Sequence, residues 1–365
     1  MPIARLIRRG VCIAILAVPV AAVAQTSQPA SAPPRGPTGT APRDAPGSAD
    51  SQPTTESSDR RGRFGQQKLQ LSYEPGITFR QRAGENGRLG SFQHDLRLSA
   101  PLYQDDRHEW LLLSRVKLLD FSGSARIPDG RWYNRRRTVA FPDHLWDVEL
   151  GTSYRHRFDG GVIAGIELTI GSPSDKPFDS SDEVSLGITG TLRVPAGDDD
   201  AWLFFVNFDT ARDFAPYVPL PGVGYEFSRE KRLSGIVGFP FSRAQYRALD
   251  WLVLRGEYIF PHTIDAEIAV PIDKWELFAG YHWRNEQYLW SERRHDDDRL
   301  NYYEQAVKTG VRSPAFLDGL ARFEIEAGFA FQRQYFVGEE YTDRKYGRLG
   351  VGDGPYLKVL LRFEL

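Results

Sequence analysis

The side chains best suited to chemistry in this 365-residue chain are few and scattered. His94, His108, His144, His156, His262, His282 and His295 never fall in pairs at a metal-ligand spacing on one element. A hydrolase would need a His bonded to a Ser or Asp near a rim, where substrate can reach it. Only Asp143-His144, and His295 beside Asp296, Asp297 and Asp298, offer that composition. His282 alone lies on a polar face, with Glu276 and Arg284. The one Cys and the one Met are Cys12 and Met1, so the rest of the chain holds no thiol nucleophile, thiolate metal site or disulfide.

Several charge and glycine runs have plainer explanations than a ligand site. Asp198-Asp199-Asp200 follows Pro195-Ala196-Gly197 and reads as a tight turn without calcium. Gly347, Gly350, Gly352 and Gly354 precede a strand and not a helix, so they are turn glycines and not a phosphate loop. Arg293-Arg294-His295-Asp296-Asp297-Asp298-Arg299 reads as a solvated loop tip, the alternative being a cation or lipopolysaccharide contact. Arg135-Arg136-Arg137 suits a solvated loop and a contact with anionic headgroups equally. No catalytic residue, metal or cofactor is expected.

The remaining charges have a periodic arrangement. From Phe64 onward, polar and apolar residues alternate over many segments, the pattern of strands with one face in an apolar medium. Val148, Leu150, Thr152 and Tyr154 alternate with Glu149, Gly151, Ser153 and Arg155. Ile166, Leu168 and Ile170 alternate with Glu167, Thr169 and Gly171. Trp275, Leu277, Ala279, Tyr281 and Trp283 oppose Glu276, Phe278, Gly280, His282 and Arg284, and Phe323, Ile325 and Ala327 oppose Arg322, Glu324 and Glu326. Further strands are expected at 68–80, 90–103, 109–121, 184–194, 201–210, 222–229, 233–241, 249–260, 262–270, 303–312 and 356–365.

Between these strands, some connections are very short and others long, such as 122–144 and 285–302. A membrane barrel shows this contrast, with tight turns at one rim and longer loops at the other. Tyr73, Tyr103, Trp110, Trp146, Tyr154, Trp202, Tyr258, Trp275, Trp283 and Tyr288 sit near strand ends, where amphipathic rings suit the lipid–water boundary. If the strands close into a barrel, Glu149, Arg155, Glu167, Glu257, Glu276, Arg284, Arg322, Glu324, Glu326, Lys358 and Arg362 converge on its lumen. Charges of both signs there suit a water-filled pore with weak ion preference, or a closed interior knitted by ion pairs.

Composition narrows the classes further. Lys plus Arg number 46 against 48 Asp plus Glu, a balance without the basic excess of a nucleic-acid binder. Arg5, Arg8 and Arg9, the apolar run 11–23 and Ala21-Ala22-Val23-Ala24 before Gln25 form an export signal over residues 1–25. Residues 26–63 contain no Val, Ile, Leu, Phe, Tyr or Trp, so they are expected to form a disordered, Pro/Ser/Thr/Ala-rich linker. Every one of the 8 Trp, 16 Tyr and 22 Phe falls in 64–365.

The last segment alternates Leu357, Val359, Leu361, Phe363 and Leu365 with Lys358, Leu360, Arg362 and Glu364. It resembles the terminal strand of bacterial outer-membrane β-barrel proteins. Those strands commonly end on an aromatic residue, whereas here Phe363 precedes Leu365 by two. The chain is most similar to such barrels of an uncharacterised family of unknown function. The resemblance implies an all-β, antiparallel up-and-down transmembrane barrel in the cell outer membrane. It also implies contact with outer-membrane lipid and recognition of the terminal strand by the barrel-assembly machinery. Fifteen strands are counted and fourteen are expected, within a range of twelve to sixteen, because single-chain bacterial barrels usually have even numbers. The expected role is a passive channel or uptake protein for small polar solutes, and not an enzyme. A non-conducting structural or adhesive barrel, a hydrolase at the rim and a soluble exported β-sandwich remain as alternatives.

Overall fold

A computed structural model describes residues 64–365 apart from 129–137, 198, 213–214, 231, 261–262, 294, 340–342 and 345–346. The export signal, the Pro-rich linker, Arg135–Arg137 and His262 therefore lie outside the described residues.

The strands in chain order are β1 (Gln70–Ala83), β2 (Gly87–Gln104), β3 (His108–Ser124), β4 (Arg126–Pro128), β5 (Thr138–Ala140), β6 (His144–Arg157), β7 (Ile163–Ser174), β8 (Ser185–Pro195), β9 (Ala201–Asp209) and β10 (Leu220–Arg229). They continue as β11 (Leu233–Phe239), β12 (Phe241–Leu249), β13 (Leu252–Ile259), β14 (Thr263–Ile272), β15 (Trp275–Tyr288), β16 (Arg299–Arg312), β17 (Ala321–Gly338), β18 (Leu349–Val351) and β19 (Gly354–Glu364). β4 and β5 form a separate small hairpin. All other neighbours pair antiparallel, and β19 returns to β1 with Leu71 opposite Phe363 and Tyr73 opposite Leu361. β18 is paired with the same two strands as β19 and continues its line beyond the break at 352–353, so the wall has sixteen strands.

The wall is thus a closed all-β barrel with no free edge. The strand count is two above the expected fourteen. One segment, β12, was not foreseen, because 241–249 interrupts its apolar face with Ser242 and Ala244 and reads as a connection.

Six of the seven connections at one rim are short, among them 105–107, 196–200, 250–251 and 273–274, and Leu69 pairs there with Leu365. The other rim carries the longer connections 125–143, 175–184, 210–219, 289–298 and 339–353. We call these the turn rim and the loop rim. Asp105 shows how a tight turn is held at the turn rim. Its carboxylate accepts from the backbone N–H groups of Arg107 and His108, both at 2.7 Å, and from the Tyr103 hydroxyl. The Tyr103 hydrogen bond comes first, and the Arg107 amide next, among the contacts that hold this carboxyl below the usual Asp range.

The alternation of each strand sorts side chains to two faces. Leu150, Ile166, Leu168, Ile188, Phe204, Ile268, Leu277 and Phe329 all project outward and are 43–53% exposed, too large an apolar belt to leave against water. Closing the ladder pairs each wall strand with a neighbour on both sides, which a surface facing hydrocarbon requires. Tyr103, Trp110, Tyr154, Trp202 and Trp275 line the outer face near the turn rim. Tyr288 departs from that expectation. It points inward and is only 2% exposed.

Candidate functional site: the barrel interior

All eleven charged residues read from the sequence as interior lie on the inward-directed register of the wall. Arg115 faces Glu149, Arg155 faces Glu109, Arg322 faces Arg362, and Glu326 faces Lys358 as direct cross-strand partners. Glu257 stands opposite Asp265, and Glu167 opposite Thr189. Glu276 pairs across with Arg312, and Arg284 with Glu304.

The interior is not uniform around the wall. On β14 to β19 many inward charges, among them Glu267, Glu304, Lys308, Arg312 and Glu326, are buried and paired, while Asp265, Glu276, Glu324 and Lys358 are paired and half-buried. Arg312 contacts Glu267 at 2.6 Å and both Glu276 and Glu324 at 2.7 Å, while its guanidinium lies 4.1 Å from the Phe278 ring centre. Arg255 on β13 shares Glu267 and Glu276 with it. Nearer mid-wall, Lys308 bonds Asp265 at 2.6 Å, and Tyr356 donates to Glu326 at 2.9 Å. His282 meets Glu304 at 3.1 Å, and Glu304 also accepts from the Tyr302 hydroxyl. A desolvated charge of this kind persists only when its partners offset the lost hydration. Glycines admit the large rings between these groups: a Cβ on Gly328 would lie 2.4 Å from Tyr356, and one on Gly310 2.4 Å from Phe278.

On β6 to β9 the inward side chains mix large ones, Arg155, Arg193, Leu203 and Phe205, with smaller polar ones, and none of these four is buried. Glu149, Glu167, Thr169, Thr189 and Asn207 are partly accessible, and Thr191 is exposed. Asp147, Glu167 and Asp209 lie within electrostatic reach of Glu149, with Arg115 the cation that acts on it, so the part of this wall around Glu149 is acidic, whereas Arg155 and Arg193 stand nearer the turn rim. Arg115 also bonds Asp95 and Asp147, each at 2.9 Å.

A second division occurs at the loop rim. After β15 the chain crosses the mouth to β7, although seven strands separate β15 from β7 in either direction round the wall. Leu289 donates its amide to Pro173 O at 2.6 Å, Ser291 donates both backbone N–H and hydroxyl to Asp175, and Arg293 pairs with Glu183 at 2.6 Å. Below this strap, Lys117 of β3 reaches across to Glu286 of β15 at 2.5 Å. The half of the mouth enclosed by β16 to β19 and β1 to β6 is filled by an apolar cluster. The β4–β5 hairpin folds into it, with Ile127 and Phe141 against Trp290, Tyr302 and Tyr335. Ile127, Leu145 and Trp290 are at most 1% exposed.

These contacts revise two sequence expectations. The connection written as 285–302 is shorter, 289–298, because β15 and β16 extend further. Its Arg293 is bonded to the opposite wall and not part of a free loop tip, and Arg299 donates to the carbonyls of Asp296 and Asp298. His94 sits mid-wall on β2, where its ring meets the Tyr73 hydroxyl at 2.6 Å. The catalytic compositions do not assemble. His144 points outward to Asp120 at 3.3 Å, and no His bonds a Ser hydroxyl among the described residues. Asp200 lies in the turn between β8 and β9, where it clamps Arg229 and the Tyr225 hydroxyl.

Asp95, Glu109, Arg115, Lys117, Arg255, Glu267, Lys308 and Arg312 were missed by sequence reasoning. Asp95 alternates with Leu96 and Leu98 and was within reach of the pattern. Lys117 was not, because Val116, Leu118 and Leu119 surround it with apolar residues on both faces.

No protein-family description matches this chain, and no curated protein sequence matches it. Solved structures similar to it are bacterial outer-membrane barrels. An outer membrane channel from Pseudomonas putida F1 has 12% identity and a TM-score of 0.34, over 87% of this chain and all of that one. The Pseudomonas putida toluene transporter TodX has 10% identity and a TM-score of 0.36, over 82% and 90%. The translocator domain of the autotransporter NalP from Neisseria meningitidis has 10% identity and a TM-score of 0.30, over 85% and 92%. At these scores the likenesses carry no argument, and the fold stands on the closed hydrogen-bond ladder of the chain itself.

Proposed function

We propose that this protein is an outer-membrane barrel acting as a passive channel for small polar solutes. The observation that carries the reading is the contrast within the lumen. One half is packed with ion pairs and aromatic rings, while the β6–β9 wall presents Glu149, Glu167, Thr169, Thr189 and Thr191 without burying them. A polar wall that remains accessible inside an apolar-coated barrel suits water and hydrophilic solutes. Its four carboxylates, Asp147, Glu149, Glu167 and Asp209, outnumber Arg155 and Arg193 on the same strands and give it a lean toward cations. At the loop rim the strap crosses the mouth and is bonded to the β7 end of this wall, while the apolar cluster fills the half of the mouth from β16 round to β6.

Conductance across a planar lipid bilayer tests the reading. Purified, heat-modifiable barrel should give discrete current steps with cations favoured over anions. A correctly folded sample that passes no current would sink it.

One observation favours a second reading, a non-conducting structural barrel. The strap joins opposite walls with five hydrogen bonds or ion pairs, Arg293 also donating to the Asp182 carbonyl, as a permanently shut mouth would require. The same current measurement separates the two.

A further inference from the structure

The outer face of the β1–β2 hairpin changes character as it rises past the apolar belt. Ile77 and Phe92, direct cross-strand partners, are 37% and 41% exposed, and Phe79 above them is 46% exposed. A register shift between Thr78 and Gln81 then turns Arg80 outward beside Phe79. Gly90 makes the room: a Cβ there would lie 3.0 Å from Arg80 Cα. Arg82 and Arg88 follow on the same face as direct cross-strand partners. All three arginines are exposed.

This arrangement is unfavourable by itself. Like charges directly opposite each other across two strands repel, and exposure only partly screens them. No described carboxylate forms an ion pair with any of the three. Arg82 instead donates to the carbonyls of Gly84 and Glu85, each at 3.2 Å, which fixes its guanidinium against the turn but leaves its charge uncompensated. Arginine forks match the geometry of phosphate oxygens.

We propose that Arg80, Arg82 and Arg88 bind the phosphorylated headgroup of a lipid in the loop-side leaflet, whose acyl chains lie along Ile77, Phe79 and Phe92. Continuity with the apolar belt selects a lipid phosphate over a free one. The inference rests on the membrane reading above, with the loop rim facing outward.

The test uses the full protein in phosphatidylcholine nanodiscs doped with bisphosphorylated lipid A or its dephosphorylated form, with lipid retention read by native mass spectrometry. Only protein that shifts on boiling is scored, so an absent shift fails the membrane reading and leaves the lipid comparison to intact barrels. The wild type should retain the phosphorylated lipid about tenfold better than the dephosphorylated one. The R80Q/R82Q/R88Q variant, altered only at exposed positions, should lose that preference. Equal retention of both lipids by the wild type, or an unchanged preference in the variant, would overturn the proposal. Full displacement of the lipid by millimolar inorganic phosphate would overturn its choice of a lipid ligand.

Discussion

At the scale of single residues, the packed half of the lumen is held by pairs whose members are costly to separate. Removing one partner from a buried ion pair leaves the other uncompensated and typically costs about 3–5 kcal/mol. Arg312 serves Glu267, Glu276 and Glu324 at once, so Arg312→Ala should lower barrel stability by roughly that amount in urea titrations of protein in lipid vesicles. Gly328→Ala forces the Tyr356 ring aside and should cost about 1–3 kcal/mol in the same titration. Much of this site is legible in sequence, because Glu324, Glu326 and Arg322 alternate with Phe323 and Ile325. The rest was hidden where the outward face is itself small or polar. Lys308 and Arg312 alternate with Val307, Thr309 and Val311 around a central Gly310, a weak period. Lys117 lies where the inward face turns apolar to join the cluster at the loop rim.

At the scale of elements, strands with one clean apolar face were read nearly to their ends, whereas contacts between distant connections were invisible. Nothing in the local pattern of 289–298 tells that Ser291 will find Asp175 or that Arg293 will find Glu183. If the strap limits flow, the E183Q/R293Q variant should widen the open state and raise single-channel current, and an unchanged current would show the strap to be passive. Trp290 anchors the apolar cluster beside it, and Trp290→Ala should cost about 3–5 kcal/mol while loosening the same mouth. At the opposite rim the Asp105 clamp gives a pH dependence of definite sign. A carboxyl whose folded pKa is depressed stabilises above its unfolded pKa, and that contribution is lost as pH falls through the folded value. The amides of Arg107 and His108 should therefore stay protected from hydrogen exchange at neutral pH and lose protection only below the ordinary Asp range. Asp105→Asn should weaken that protection at neutral pH.

For the whole molecule, sixteen strands divide the interior into two unlike halves. The sheet from β13 to β19 and on to β3 spends most of its inward charges on one another, with Glu109 and Arg115 of β3 also reaching Arg155 and Asp147 of β6. The β6–β9 wall keeps Glu149, Glu167 and three threonines accessible. The central claim is that solutes pass along this second wall. It can be tested by cysteine accessibility, since the sequence beyond Cys12 contains no cysteine. Single cysteines would replace Thr191 on the accessible wall, Ala306 in the packed half and Leu168 on the outer belt, each in a conducting barrel reconstituted in lipid. A charged, membrane-impermeant thiol reagent should modify Thr191→Cys quickly and reduce its current, while leaving Ala306→Cys and Leu168→Cys unmodified. Rapid block through Ala306→Cys with no reaction at Thr191→Cys would contradict the account and place the path on the other side of the barrel.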